Sequence, residues 1–110
     1  MQKEELAEHL KQYHMGEQNA VTSRALALEA AMSSRELRNS VNELRQYCVP
    51  IGSSGEGYFY AETEQEVRAT INHMTHRISG IAAAIRGLTK TLEEYDSEQT
   101  RLPLEGGGPL

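Results

Sequence analysis

The side chains best suited to holding a metal ion are four histidines, which fall into two pairs. His9 and His14 lie near the start of the chain, and His73 and His76 lie three residues apart in a later helical segment. The later pair falls on the outer side of its helix, and no carboxylate or thiol lies near enough in sequence to complete a tetrahedral ligand set. We therefore expect no metal site.

The single cysteine and a glycine-rich stretch are the other candidates for chemistry. Cys48 has no second cysteine to pair with and no neighbouring pattern typical of a nucleophilic thiol. The stretch GSSGEG, at 52–57, is not followed by Lys-Ser/Thr and no helix begins directly at it, which argues against a phosphate-binding loop. No paired carboxylates and no Ser-His-Asp arrangement stand out. The sequence predicts a protein that is not an enzyme, with no cofactor and no small-molecule effector.

Length and charge limit the remaining classes. A chain of 110 residues has room for one small core. Its net charge of −5 argues against a broadly basic protein that coats nucleic acid without specificity. No run of about 20 apolar residues and no signal-peptide pattern occur, so we expect a cytoplasmic protein without a membrane partner.

The first part of the chain predicts three short helices, each with apolar residues at helical spacing. Gly16 ends the first helix, and hydroxyl side chains cap the second and third. Ser33 and Glu36 fit the capping-box pattern. The predicted apolar stripes are Leu6, Leu10 and Tyr13 in the first helix, Leu26 and Leu28 in the second, and Leu37, Val41 and Leu44 in the third.

A β-hairpin and a long helix are predicted to follow. The runs VPIGS and GYFYA favour strands, and SGEG between them has the composition of a hairpin connection. Thr63 and Glu66 form a second capping box, which opens a helix from about residue 64 to 95. Its apolar residues alternate four and three apart, as in a heptad repeat. They are Val67, Ile71, Met74, Ile78, Ile81, Ile85, Leu88, Leu92 and Tyr95.

This stripe has two possible partners: the same helix of a second chain, or the helix's own N-terminal domain. We expect self-association, with a dimer as the main state, because a stripe of this length is costly to leave in water. The remaining segment, 97–110, contains Pro103, Gly106 to Gly108 and Pro109, and is predicted to be a disordered tail.

One set of residues holds its spacing across the third predicted helix and the predicted hairpin. It consists of Ser33, Leu37, Val41, Leu44, Arg45, Val49, Pro50, Ile51, Ser53, Gly55, Gly57, Tyr58 and Ala61. With this spacing, the segment at about 20–61 resembles the winged helix-turn-helix domains of biotin-repressor and DeoR-like type found in bacterial and phage regulators. Two residues depart from the pattern of those domains: Cys48 stands where the pattern prefers Gly, and Glu56 lies at the wing tip, where a basic residue is more usual.

The resemblance implies a winged helix-turn-helix at 1–62, and the heptad spacing adds one long C-terminal coiled-coil helix at 63–96. The predicted fold is therefore mainly α with a small β-hairpin. The resemblance also implies sequence-specific binding of double-stranded DNA, with the helix from Ser34 to Tyr47 in the major groove. The alternative is a winged helix that docks a protein in a replication or transcription complex. The expected DNA-binding residues are Thr22, Ser23, Arg24, Ser33, Ser34, Arg35, Arg38, Asn39, Asn42, Arg45, Ser53, Ser54 and Tyr58.

Overall fold

The structure, a computed structural model, describes the backbone of residues 1–101 and the side chains of residues 1–96. It has the predicted order of three short helices, a hairpin and a long helix, which confirms the fold class. The elements are α1 (Lys3–Tyr13), a 3-10 turn (Glu17–Asn19), α2 (Ser23–Ala30), α3 (Ser34–Gln46), β1 (Ile51–Ser54), β2 (Gly57–Tyr60) and α4 (Glu64–Arg101).

Side-chain caps begin the helices where the sequence predicts them. Thr22 Oγ1 accepts the backbone N–H of Ala25 at 3.1 Å and so caps α2. Ser33 and Glu36 form a reciprocal capping box at α3: Ser33 Oγ accepts the N–H of Glu36, and the Glu36 carboxylate accepts the N–H of Ser33. These bonds satisfy backbone donors that a helix leaves unpaired in its first turn.

The core lies between the three short helices and the inner face of the hairpin. Two predicted members of the apolar stripes, Tyr13 and Leu28, are exposed instead. On α2 the buried face is set by Leu26 and Ala30, four residues apart, and a residue two positions from Leu26 falls on the opposite side of a helix. The buried apolar residues are Leu6, Leu10, Val21, Leu26, Ala30, Leu37, Val41, Leu44, Ile51 and Phe59.

The hairpin is antiparallel, with Ile51 opposite Tyr60 and Ser54 opposite Gly57. Its other edge is paired as well: the backbone of Val21 exchanges two hydrogen bonds of 2.8 Å with Tyr58. Gly57 has φ +126°, and a Cβ there would overlap the carbonyl of Val21, so this position requires glycine. A single-residue bridge has no periodic pattern, so the sequence alone does not predict this pairing.

The start of α4 belongs to the compact N-terminal unit, which extends from Met1 to Met74. The buried Thr70 explains this boundary: its Oγ1 accepts the N–H of Ser53 in β1 at 3.1 Å. The same hydroxyl donates to the carbonyl of Glu66 at 3.0 Å. A second unit begins at Thr75.

The helix α4 continues to Arg101, beyond the predicted end at residue 96. The first residues of the predicted tail, up to 101, are therefore helical, and the rest of the tail lies outside the described residues. None of the helices within residues 1–101 is long and apolar enough to cross a membrane.

Candidate nucleic-acid interface

The exposed face of α3 carries the best candidates for contact with bases. Arg35, Arg38 and Asn42 are all exposed, whereas the opposite stripe of the same helix is in the core. Spacings of three and four residues put these three side chains on one side of the helix. Within the part of the chain that the structure describes, neither Arg35 nor Arg38 forms an ion pair with a carboxylate.

The neighbouring side of α3 is acidic and faces α1. Asn39, another predicted contact, lines a polar groove there together with Glu36 and Glu43. Lys3 of α1 offsets part of this charge, since its Nζ lies 3.6 Å from Glu43 Oε2. The exposed arginines therefore have carboxylates on one border, and Asn39 lies at that border.

The N-terminal ends of α2 and α3 carry five of the other predicted DNA-binding residues. Thr22, Ser23 and Arg24 are exposed at the start of α2, and Ser33 and Ser34 are exposed at the start of α3. Free backbone N–H groups at a helix N-terminus attract anions. The hydroxyls of Thr22 and Ser33 already accept a backbone N–H as caps, so any contact they make with phosphate has to share that hydroxyl.

Two predicted contact residues, Arg45 and Ser53, are used inside the protein. The Nε–H of Arg45 donates to the carbonyl of Ile51 at 2.8 Å, and its Nη2 donates to Ser53 Oγ at 3.2 Å. Arg45 is half-buried as a result and joins the end of α3 to the first strand of the wing. We assign both residues to positioning the wing against α3.

The wing itself offers few polar groups to a ligand. The side chain of Tyr58 is half-buried and packs against the core. Ser54 Oγ accepts the N–H of Glu56 at 3.1 Å across the turn. The exposed residues at the tip are Gly55 and Glu56, so the charge at the wing tip is negative.

The end of α3 has a left-handed residue at Cys48, the position where the winged-helix pattern prefers glycine. Cys48 has φ +69°, a left-handed conformation that glycine adopts at lower cost than other residues. Its N–H donates to the carbonyl of Arg45 at 3.0 Å, which closes the last turn. The thiol is free and exposed.

Glu66 has a larger role than the capping box alone predicts. Besides Thr63, it accepts the backbone N–H of Glu62 at 2.6 Å and that of Glu17 at 2.9 Å. These donors, Glu17 first, hold the pKa of Glu66 below its ordinary value of 4.5. One carboxylate therefore fastens the start of α4 to the turn before α2, and the separation of Glu17 from Glu66 hides this link from sequence inspection.

The heptad stripe of α4 divides at Met74. Val67, Ile71 and Met74 line an open apolar cavity of about 300 Å³ beside Cys48 to Gly52, within the N-terminal unit. Ile71 is nevertheless 55% exposed, whereas Val67 and Met74 are half-buried. Beyond Met74 all the large apolar residues of the stripe are exposed. They are Ile78, Ile81, Ile85, Leu88, Leu92 and Tyr95.

Comparison with known proteins adds no relative to this description. No family model matches the chain. No curated protein and no solved structure matches it either.

Proposed function

We propose that this protein binds double-stranded DNA as a dimer, with the N-terminal half of α3 in the major groove. Arg35 and Arg38 donate to guanine edges or to phosphates, and Asn42 pairs with a base edge. The N-terminal end of α2 holds a phosphate with its backbone N–H groups, beside Arg24. This function makes the chain a DNA-binding regulator or replication factor.

The observation that carries the proposal is the contrast between two faces of α3. Its apolar residues are buried, while two arginines and an asparagine stand exposed on the second helix of a helix-turn-helix. An arginine without a carboxylate partner keeps its guanidinium available for bidentate contact with guanine or phosphate. The local charge agrees, since Ser33 to Cys48 contain three Arg and two Glu within a chain of net charge −5.

One domain with so small an excess of positive charge binds DNA weakly, and dimerisation compensates for this low affinity. Two α3 helices related by a two-fold axis read half-sites about one helical turn apart, roughly 34–36 Å between centres. Binding one duplex through two linked domains raises the affinity without additional charge. The exposed apolar stripe of α4 beyond Met74 supports a second copy of this chain as its partner.

The test is duplex binding by the double variant R35A/R38A. We expect selection from a random duplex pool to yield a bound sequence, and fluorescence anisotropy on that duplex to show that binding weakens as salt rises. Loss of two phosphate or base contacts reduces the slope of log K against log salt by up to about 1.8. The matched control is R86A/K90A, which removes two positive charges from the outer side of α4.

Two results would contradict the proposal. One is a wild-type chain that binds no duplex from the pool at low salt. The other is equal weakening of duplex binding by R35A/R38A and by R86A/K90A, because the effect would then depend only on the net charge of the chain. Circular dichroism of each variant separates loss of binding from loss of folding.

A second function, docking of a protein partner, is favoured by the charge of the wing. Glu56 at the wing tip and the carboxylates of Glu36 and Glu43, on the side of α3 that faces α1, repel phosphate. A winged helix with these borders suits a partner with basic side chains. If the wild type binds no duplex, while changing Glu36 and Glu43 to Gln disrupts a protein complex, this function replaces DNA binding.

A further inference from the structure

The structure brings together three metal-binding side chains that are dispersed in the sequence. His9 lies on α1, His14 follows its last turn, and Glu29 lies near the end of α2. Nε2 of His9 and Nε2 of His14 approach the same atom, Glu29 Oε1, at 2.6 and 3.0 Å. Their ligand atoms all lie within 4.8 Å of one another. Sequence inspection pairs the two histidines but provides no third ligand, because Glu29 is contributed by another helix.

The hydrogen bonding of His14 turns its Nε2 towards the carboxylate of Glu29. Its Nδ1 lies 2.9 Å from the backbone carbonyl oxygen of Asn19, which can only accept, so Nδ1 carries a proton. On the neutral ring Nε2 carries a lone pair, which faces a carboxylate oxygen at 3.0 Å. Two acceptors at that distance are bridged either by a proton or by a metal ion.

The carbonyl of Asn19, which accepts from Nδ1 of His14, is also a typical hydrogen-bond partner for a metal-binding histidine. An N–H···O=C bond on the far ring nitrogen fixes the tautomer and turns Nε2 towards the metal. The backbone of His14 is fixed too: its N–H donates to Leu10 at 2.8 Å, and its carbonyl accepts the N–H of Tyr60 at 2.7 Å. This ligand is therefore positioned before any ion binds.

We propose that His9, His14 and Glu29 form a zinc-type site that clamps α1 to α2. Two imidazoles and one carboxylate favour Zn²⁺ over Mg²⁺ or Ca²⁺, which prefer oxygen ligands. A water molecule completes the tetrahedron. Ligand atoms about 2.0–2.1 Å from tetrahedral zinc lie roughly 3.3 Å apart. The carboxylate oxygen, now 2.6 and 3.0 Å from the two nitrogens, therefore has to move away from them by less than about 1 Å. The two Nε2 atoms, which lie within 4.8 Å of one another, have to take up the same spacing.

The surroundings of the cluster suit a bound ion. The side chains of His9 and His14 are only 20% and 15% exposed, and that of Glu29 is 37% exposed, which leaves an approach from solvent through the carboxylate. The ring of Tyr13 stands beside His9, with centroids 5.1 Å apart, and restricts the imidazole. The ion would join α1 to the first helix of the helix-turn-helix, and this function does not depend on DNA binding.

The test is metal binding by the full chain without an affinity tag, after treatment with a chelator. We expect calorimetry to show one equivalent of Zn²⁺, Co²⁺ to give the visible spectrum of a tetrahedral complex, and the thermal midpoint to rise with Zn²⁺. E29Q keeps the shape of the side chain and weakens Zn²⁺ binding at least about 10-fold, as do H9A and H14A. The matched control is H73A/H76A, which removes the other two histidines.

The competing outcomes are distinct. Absence of Zn²⁺ binding by the wild type overturns the proposal, as does E29Q with wild-type affinity. Binding that H73A/H76A abolishes would assign the ion to α4 instead. If H14A fails to fold, E29Q and H9A decide the question, with circular dichroism reporting their folding.

Discussion

The helices α3 and α4 carry similar apolar stripes, but the rest of the chain buries only the stripe of α3 completely. In α3 the stripe is in the core, with Leu37 only 1% exposed, and the polar face is left to solvent. In α4 beyond Met74 the apolar stripe itself is in solvent, with Ile78 65% and Leu88 69% exposed. The comparison shows that apolar periodicity identifies which face of a helix is apolar. It does not tell whether the surface that covers this face belongs to the same chain or to another.

The largest effect is expected from removing a leucine on the buried stripe. L37A leaves a cavity in the core and lowers the free energy of unfolding by about 2–5 kcal/mol, measured by urea denaturation. The matched variant is L88A on the exposed stripe, which changes it by less than about 0.5 kcal/mol at concentrations where the chain is monomeric. Similar losses for both variants would remove the distinction between the two helices.

The next effect concerns association through α4. The double variant I78E/I85E places charges on the exposed stripe while keeping good helix formers, and we expect it to convert a dimer into a monomer in sedimentation experiments. Burying one Ile contributes about 1.5–3 kcal/mol, so the two changes weaken association by more than about 100-fold.

The matched control for the coil is H73E/H76E, which adds the same charge to the outer side of α4. It should sediment like the wild type. A wild-type chain that is monomeric across the accessible concentrations would contradict self-association.

A smaller, pH-dependent effect tests how the start of α4 is fastened within the N-terminal unit. Because the pKa of Glu66 is lowered in the folded state, its contribution to stability is present above about pH 4.5 and is lost as the pH falls through the folded pKa. E66Q should therefore be less stable than the wild type at pH 7 and should lose less stability between pH 7 and pH 3. Thermal melts across that range measure both quantities.

The control for Glu66 is E64Q. Glu64 pairs with Arg68 one turn along the helix, and both side chains are more than two-thirds exposed. An exposed pair of this kind contributes about 0–1 kcal/mol. If E64Q and E66Q behave alike, the backbone hydrogen bonds to Glu66 do not fasten α4.

The smallest effect is a gain of stability at the end of α3. The variant C48G keeps the left-handed conformation at this position but places there a residue that adopts it at lower cost. It should raise the free energy of unfolding by about 0.5–1 kcal/mol. Ala31, with φ +53° at the end of α2, provides a second site of the same kind, and A31G should behave similarly. Urea denaturation measures both, and a loss of stability in both would contradict this account of the two helix ends.

Local patterns account for the features that were predicted correctly. Capping boxes and apolar periodicity involve residues three or four apart, so Ser33, Glu36 and Thr63 could be assigned from sequence. Features that depend on distant partners could not. Arg45 was predicted to contact DNA, whereas its hydrogen bonds to the carbonyl of Ile51 and the hydroxyl of Ser53 were not predicted, because they depend on how the strand returns past the helix end.

The sequence by itself determined the order of the elements, the face of α3 that is buried and the apolar stripe of α4, because each depends on short-range spacing. Only the tertiary structure placed Glu29 beside His9 and His14, tied Thr70 to Ser53 and set Glu66 against the turn at Glu17. These contacts join residues 15–49 positions apart, and no local pattern carries that information. The physical reason is that side-chain chemistry is local, whereas the backbone path that brings side chains together is set by the packing of the whole core.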